Sequence, residues 1–105
     1  STRNALWDSV TLCNAKGFFV QRVGMMMLVK YSGSFGSGSW DAVECPYVLP
    51  AGLTPPVEVN VPACVTNGQT SRMLIVNPNG KIRCANMGAT GSSQGCAASL
   101  CYPLA

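Results

Sequence analysis

Turn chemistry at fixed intervals constrains this chain more than any other feature. Leu49-Pro50-Ala51-Gly52-Leu53-Thr54-Pro55-Pro56 feeds the alternating run Val57-Glu58-Val59-Asn60-Val61. Arg72-Met73-Leu74-Ile75-Val76 is followed by Asn77-Pro78-Asn79-Gly80 and then Lys81-Ile82-Arg83. Proline restricts the backbone and glycine accepts positive φ, so both punctuated segments are corners. Pro78 presets the first turn position and Asn79-Gly80 tolerates left-handed φ, which predicts a hairpin. Val57, Val59 and Val61 share one face at the two-residue period, with Glu58 and Asn60 on the other, which predicts a half-buried strand.

The same reading runs along the chain. Strands are expected over residues 7–13, 18–23 and 25–31, with a turn at residues 14–17 and a short hairpin at Arg22-Val23-Gly24-Met25. A helix over the three methionines is rejected because Gly24 and Ser32-Gly33 bracket too short a run. Residues 32–39 (SGSFGSGS) read as a flexible loop with Phe35 as its one anchor, or as a glycine-rich strand or bulge. Residues 40–48 read as a strand bent at Pro46 and lying at a sheet edge, since proline cannot donate to the ladder. Pro62 marks an exit or edge, residues 66–69 a turn, residues 71–77 and 81–86 the arms of the hairpin. Residues 88–95 form a polar loop and residues 96–102 a last strand stopped by Pro103. The expected fold is all-β: one domain over residues 1–105, an antiparallel β-sandwich or barrel of about eight short strands.

Only 10% of the 105 residues are charged, against 48% hydrophobic. So few charges suit a subunit that hides surface against copies of itself or a partner. The net charge of +3 comes from scattered side chains, so no nucleic-acid footprint is expected. No apolar stretch reaches the ~18 residues of a membrane span. No signal peptide stands at Ser1, although the chain reads as a possible fragment of a longer protein.

Cys13, Cys45, Cys64, Cys84, Cys96 and Cys101 admit three readings. They are disulfides of unknown pairing, free buried thiols, or metal ligands. The metal reading lacks a close C-x2-C pair and any histidine. The absence of histidine also removes Ser-His-Asp and Cys-His nucleophile systems, so no catalytic residue is assigned. Asp8, Asp41, Glu44 and Glu58 are the only carboxylates, and Asp41 and Glu44 should face opposite sides of their strand. Nothing implies a cofactor or a metal. Binding remains. Trp7, Trp40, Phe35, Tyr31, Tyr47 and Tyr102 are the aromatic candidates, with core or subunit packing favoured for Trp7 and Trp40. Arg83, Asn86, Gln94 and Asn67 are polar candidates near turns, with plain solvation as the competing reading.

Taken in order, Trp40, residues 49–55, the valine-alternating strand, residues 73–82 and the closing Ala98-Ser99-Leu100-Cys101-Tyr102-Pro103 resemble the C-terminal domains of bacteriophage tail-fibre and baseplate receptor-binding proteins. Residues 18–29 are similar to the strand pair that precedes them. The resemblance runs from Trp7 to the C-terminus; the six cysteines and Met25-Met26-Met27 depart from it. It implies a trimeric β-sandwich or jelly-roll head at the virion tail tip. Such a head binds a host-surface saccharide or protein without catalysis or cofactor, through loops or subunit boundaries. Two other expectations stand beside it: a small secreted cysteine-stapled structural or binding protein, coat- or filament-forming, and, more weakly, a glycan-cleaving tailspike module.

Overall fold

A computed structural model describes residues 8–65, 72–88 and 95–104, with only the backbone of residues 64 and 65. The described residues form nine strands and no helix. They are β1 (Ser9–Ala15), β2 (Phe18–Val23), β3 (Met26–Gly33), β4 (Ala42–Glu44), β5 (Val59–Pro62), β6 (Cys64–Val65), β7 (Arg72–Val76), β8 (Ile82–Asn86) and β9 (Cys96–Pro103). Two antiparallel sheets result, in the orders β1-β2-β3-β9-β6 and β4-β8-β7-β5. This is the expected all-β, two-sheet architecture.

Local turn chemistry sets the hairpins. Lys16 (φ 53°) and Gly17 (φ 85°) both take positive φ between β1 and β2, the signature of a type I′ turn. Gly24 (φ 58°) opens the two-residue β2–β3 turn, where Val23 pairs with Met26. At Asn77–Gly80 the Gly80 amide donates to the Asn77 carbonyl at 2.9 Å, and the Asn77 amide donates to Lys81 O at 3.0 Å. Only Gly80 is left-handed there (φ 90°); Asn79 keeps negative φ and its Oδ1 accepts the Lys81 amide at 3.0 Å. The hairpin is therefore a type I turn with a glycine bulge. Leu49 packs against Gly80 so closely that a Cβ there would run into its carbonyl. This contact brings the Pro50–Leu53 turn, with Gly52 at φ 96°, beside the hairpin.

The core lies between the sheets. Phe18, Val20, Met27, Val29 and Tyr31 come from one sheet, and Leu74, Val76, Ile82 and Cys84 from the other. Register explains the three methionines. Met27 faces inward opposite Arg22 and Tyr102, Met26 faces outward, and Met25 sits in the turn. The opposite face of the five-stranded sheet carries Phe19, Val23, Met26 and Leu28, none of which packs on the core.

Several expected bounds shift. The strand expected over residues 40–48 has only three paired residues, Ala42–Glu44, but it is an edge strand as Pro46 implies. Val57 lies outside β5 and is 64% exposed, so only Val59 and Val61 serve the core. Pro103 does not stop β9 but pairs with Met26 at its last position. The two-residue β6, not foreseen, crosses from the β5 side to the other sheet and pairs with β9. Trp7 lies outside the described residues.

Candidate functional site

The sandwich has two ends of different character. At one end, β3 finishes at Gly33 opposite Cys96, and β7 begins at Arg72 opposite Asn86. The loop from β3 to β4 closes over this end. Its shape is set from beneath by a buried polar cluster. Arg72, 1% exposed, donates from Nε to Asn86 Oδ1 at 2.8 Å and from Nη2 to the Gly36 carbonyl at 3.3 Å. The Asn86 amide donates to the carbonyls of Gly36 at 3.0 Å and Gly38 at 2.7 Å. The Arg72 guanidinium lies over the Phe35 ring, 3.9 Å from its centroid, and Phe35 meets Tyr31 edge-on. Part-buried loop carbonyls are left without water on one side, and these two side chains supply donors to them. Composition alone suggested flexibility here; the hydrogen bonds and Phe35 hold the described loop in one shape.

Above this base the chain turns at Gly38–Asp41. The Asp41 amide donates to Gly38 O at 3.2 Å and Asp41 Oδ2 accepts the Gly38 amide at 3.0 Å. The Asn86 amide donates to Asp41 O, and the Gly88 amide to Ser39 O, both at 2.8 Å. Trp40 sits at the corner, its backbone held on both sides and its side chain 72% exposed. The indole lies over Gly88, where a Cβ would come within 2.9 Å of the ring. Exposed Met87 adjoins it in sequence. The expectation that Trp40 opens a strand is corrected: the strand starts at Ala42, beyond the turn, and Trp40 does not pack into the core of its own chain. Trp40 is the one exposed aromatic residue among those described; Phe18, Tyr31 and Tyr102 are buried and Phe19, Phe35 and Tyr47 half-buried.

The other sequence candidates fall elsewhere. Asn86 is fully buried and its amide is committed to the loop, so it shapes the site from below. Arg83 is half-buried and faces away from the core, paired in register with Glu44 and Ile75. Gln94 and Asn67 lie outside the described residues. Asp41 precedes β4 and bonds the Gly38 turn, whereas Glu44 is on β4, and Glu58 accepts from Asn60 Nδ2 at 3.0 Å. No group of three or more metal-ligating side chains exists among the described residues.

The opposite end holds an apolar groove of about 490 Å³ between the Pro55-Pro56-Val57 segment and Tyr102-Pro103-Leu104. Among the described residues, no charged side chain lines it. The Tyr102 hydroxyl is spent on the Leu53 carbonyl at 2.6 Å, which ties β9 to the Pro50–Leu53 turn there. The first and last described residues, Asp8 and Leu104, both bond the Gly24–Met25 turn at this end.

Buried acids shape the pH response. Burial pushes the Cys45 thiol up to about 11 from 9.0, with Cys13 adding to the rise. Burial, then Cys96, pushes Cys84 up to about 12, and burial raises the Tyr102 hydroxyl from 10.0 to about 12. Each group keeps its proton to higher pH in the folded chain than in the unfolded one. Their contribution to stability is therefore complete below about pH 9 and is lost as pH rises toward 11–12, because unfolding releases protons there. With no histidine, side-chain titration adds little between pH 6 and 8. Under reductant, Tm should be level from pH 6 to 8 and fall by several degrees between pH 9 and 11. A level Tm through pH 11 would contradict this assignment.

Compared with known proteins, the chain matches no family model and no curated relative.

Proposed function

We propose that the chain is a non-enzymatic attachment domain: a phage tail receptor-binding head that holds the virion to a bacterial surface saccharide or protein through its Trp40 end. One observation carries the reading. A tryptophan is held 72% exposed on a turn fixed by seven hydrogen bonds from or to its neighbours and the buried base. Exposing a large indole on a rigid loop discards burial worth roughly 1.5–3 kcal/mol for a large apolar side chain, which a stacking partner restores. Sugar rings and peptide side chains both present apolar faces that stack on an indole. The described chain ends lie at the other end of the sandwich, so a shaft attached there leaves Trp40 facing outward. The low charge and the order of sequence segments that resembles tail-fibre heads support the same reading.

A homotrimer at the tail tip belongs to this proposal. Phe19, Val23, Met26 and Leu28 share the outer face of the five-stranded sheet with Gln21 and Lys30, and a second copy of the chain is its occupant in this reading. Light scattering at micromolar concentration should give three times the chain mass, and Leu28→Lys should give a monomer with the same circular dichroism. A monomeric wild type would remove the trimer. Labelled protein should bind cells of a susceptible bacterium and be displaced by their extracted surface polysaccharide or by protease treatment of the cells. Absence of binding across a broad panel of bacteria would sink the attachment reading.

A further inference from the structure

The cysteines are not scattered through the fold. Cys13 lies on β1, in the five-stranded sheet, and faces inward opposite Val20. Cys45 directly follows β4, in the four-stranded sheet, where its amide donates to the Ile82 carbonyl at 2.8 Å. Their sulfurs are 3.7 Å apart. Cys84 is on β8 and Cys96 on β9, again one from each sheet; both are buried in the same core cluster, and Cys96 is near enough to raise the Cys84 thiol's pKa. Each contact therefore spans the seam between the sheets, and the two chain segments they would close, 13–45 and 84–96, do not overlap.

We propose that Cys13–Cys45 and Cys84–Cys96 are two disulfide sites that staple the sheets together when the chain meets a disulfide oxidant. The step is thiol–disulfide exchange with a small or protein disulfide, R′S–SR′. The Cys13 thiolate attacks one sulfur of the oxidant and releases R′S⁻, which takes up the proton Cys13 gave up. The Cys45 thiolate then attacks the mixed disulfide, forming the Cys13–Cys45 bond and releasing the second R′SH. Two thiols are oxidised and one disulfide is reduced to two thiols; Cys84 and Cys96 react by the same balance. Closing the 3.7 Å gap needs a sulfur shift of about 1.7 Å, within the reach of side-chain rotation.

Access sets the order. Cys13 is half-buried, so the first pair is open to oxidant in the folded chain. Cys84 and Cys96 are 0% and 5% exposed, so their bridge forms during folding or after local opening. The remaining cysteines do not make a third staple. Cys101 is exposed and pairs in register with outward-facing Leu28. Cys64 pairs in register with Ala97, four residues along β9 from Cys101, or about 13 Å at strand rise. That is beyond disulfide reach.

The test uses the full chain in a Cys101→Ser background, refolded with oxidised glutathione, then analysed by intact mass, non-reducing peptide mapping and thermal denaturation. The expected result is a mass lower by about 4 Da, peptides linked Cys13–Cys45 and Cys84–Cys96, and a Tm higher by roughly 10 °C or more than under reductant. Adding Cys13→Ala should halve the mass loss and leave the Cys84–Cys96 link in place. Treating the folded, reduced chain should close Cys13–Cys45 first. A mass loss of about 2 Da or none in the Cys101→Ser protein, or any bridge that includes Cys64, would overturn the proposal.

Discussion

Replacing Arg72 with alanine should lower Tm by roughly 15 °C or more, the largest single-site loss expected in this chain. Arg72 is buried, and its guanidinium joins three things: Asn86 Oδ1, the Gly36 carbonyl and the Phe35 ring. Truncation removes all three and leaves Asn86 Oδ1 without its donor in the interior. An orphaned buried acceptor costs about 1–3 kcal/mol, and loss of a buried charged group's network about 3–5 kcal/mol in total. For a domain near 100 residues, each kcal/mol moves Tm by about 4–8 °C. Arg72→Lys keeps the charge but not the forked geometry, so it should recover only part of the loss. Thermal unfolding followed by circular dichroism reads all three proteins; a Tm for Arg72→Ala within about 2 °C of wild type would show that the cluster does not hold the loop. The same variant should also weaken receptor binding, since the Trp40 turn rests on the Gly36 and Gly38 carbonyls that this cluster secures.

Trp40→Ala should do the reverse: leave Tm within about 2 °C and reduce receptor affinity at least ~30-fold. The side chain contributes little burial to the fold, so its removal falls in the range of neutral surface changes, about ±0.5 kcal/mol. At an interface a central tryptophan commonly accounts for ~2 kcal/mol or more, which is about 30-fold in Kd. Trp40→Phe keeps a stacking face and should retain part of the affinity. Surface plasmon resonance on immobilised receptor polysaccharide or protein gives the affinities. Equal affinity for wild type and Trp40→Ala would move the site away from this end. The pair of variants separates support of the loop by Arg72, from β7 beneath it, from the contact proposed for Trp40.

The turns were the most readable part of the fold. Asn77–Gly80, Lys16-Gly17 and Gly24 each pair a special backbone residue with flanking alternation, and each became a two-strand corner. Local chemistry suffices there because the hydrogen bonds are made within a few residues. β6 was not readable, since two paired residues carry no period and only the presence of β9 makes them a strand. Val57 looked inward by alternation but lies in the segment that leaves the Pro55-Pro56 corner, and tertiary geometry set where β5 begins. Trp40 was misread because an aromatic residue ahead of Ala42-Val43-Glu44 looks like a strand start. The Gly38–Asp41 turn that lifts it out depends on Asn86, 48 residues along the chain from Gly38.

Arg72 and Asn86 carried a usable signal. Leu74 and Val76 face the core, so the two-residue period puts Arg72 on the same face; Ile82 and Cys84 do the same for Asn86. Two polar residues on inward registers, at the matched ends of one hairpin, imply a buried polar pair. What the period could not supply was the partner loop. The Gly36 and Gly38 carbonyls come from a segment whose composition suggests no structure of its own. The cysteines show the same limit. Their count was plain, but pairing depends on which strands face each other across the seam.

The most direct test of the attachment account is quenching of the Trp40 indole in a Trp7→Phe variant, where Trp40 is the only tryptophan. Acrylamide should quench the free protein almost as strongly as an exposed indole in water. On saturation with the bacterial surface ligand, the quenching constant should fall several-fold and the emission should shift to the blue. A bound complex in which Trp40 stays as quenchable as in the free protein would contradict the claim that this end makes the contact.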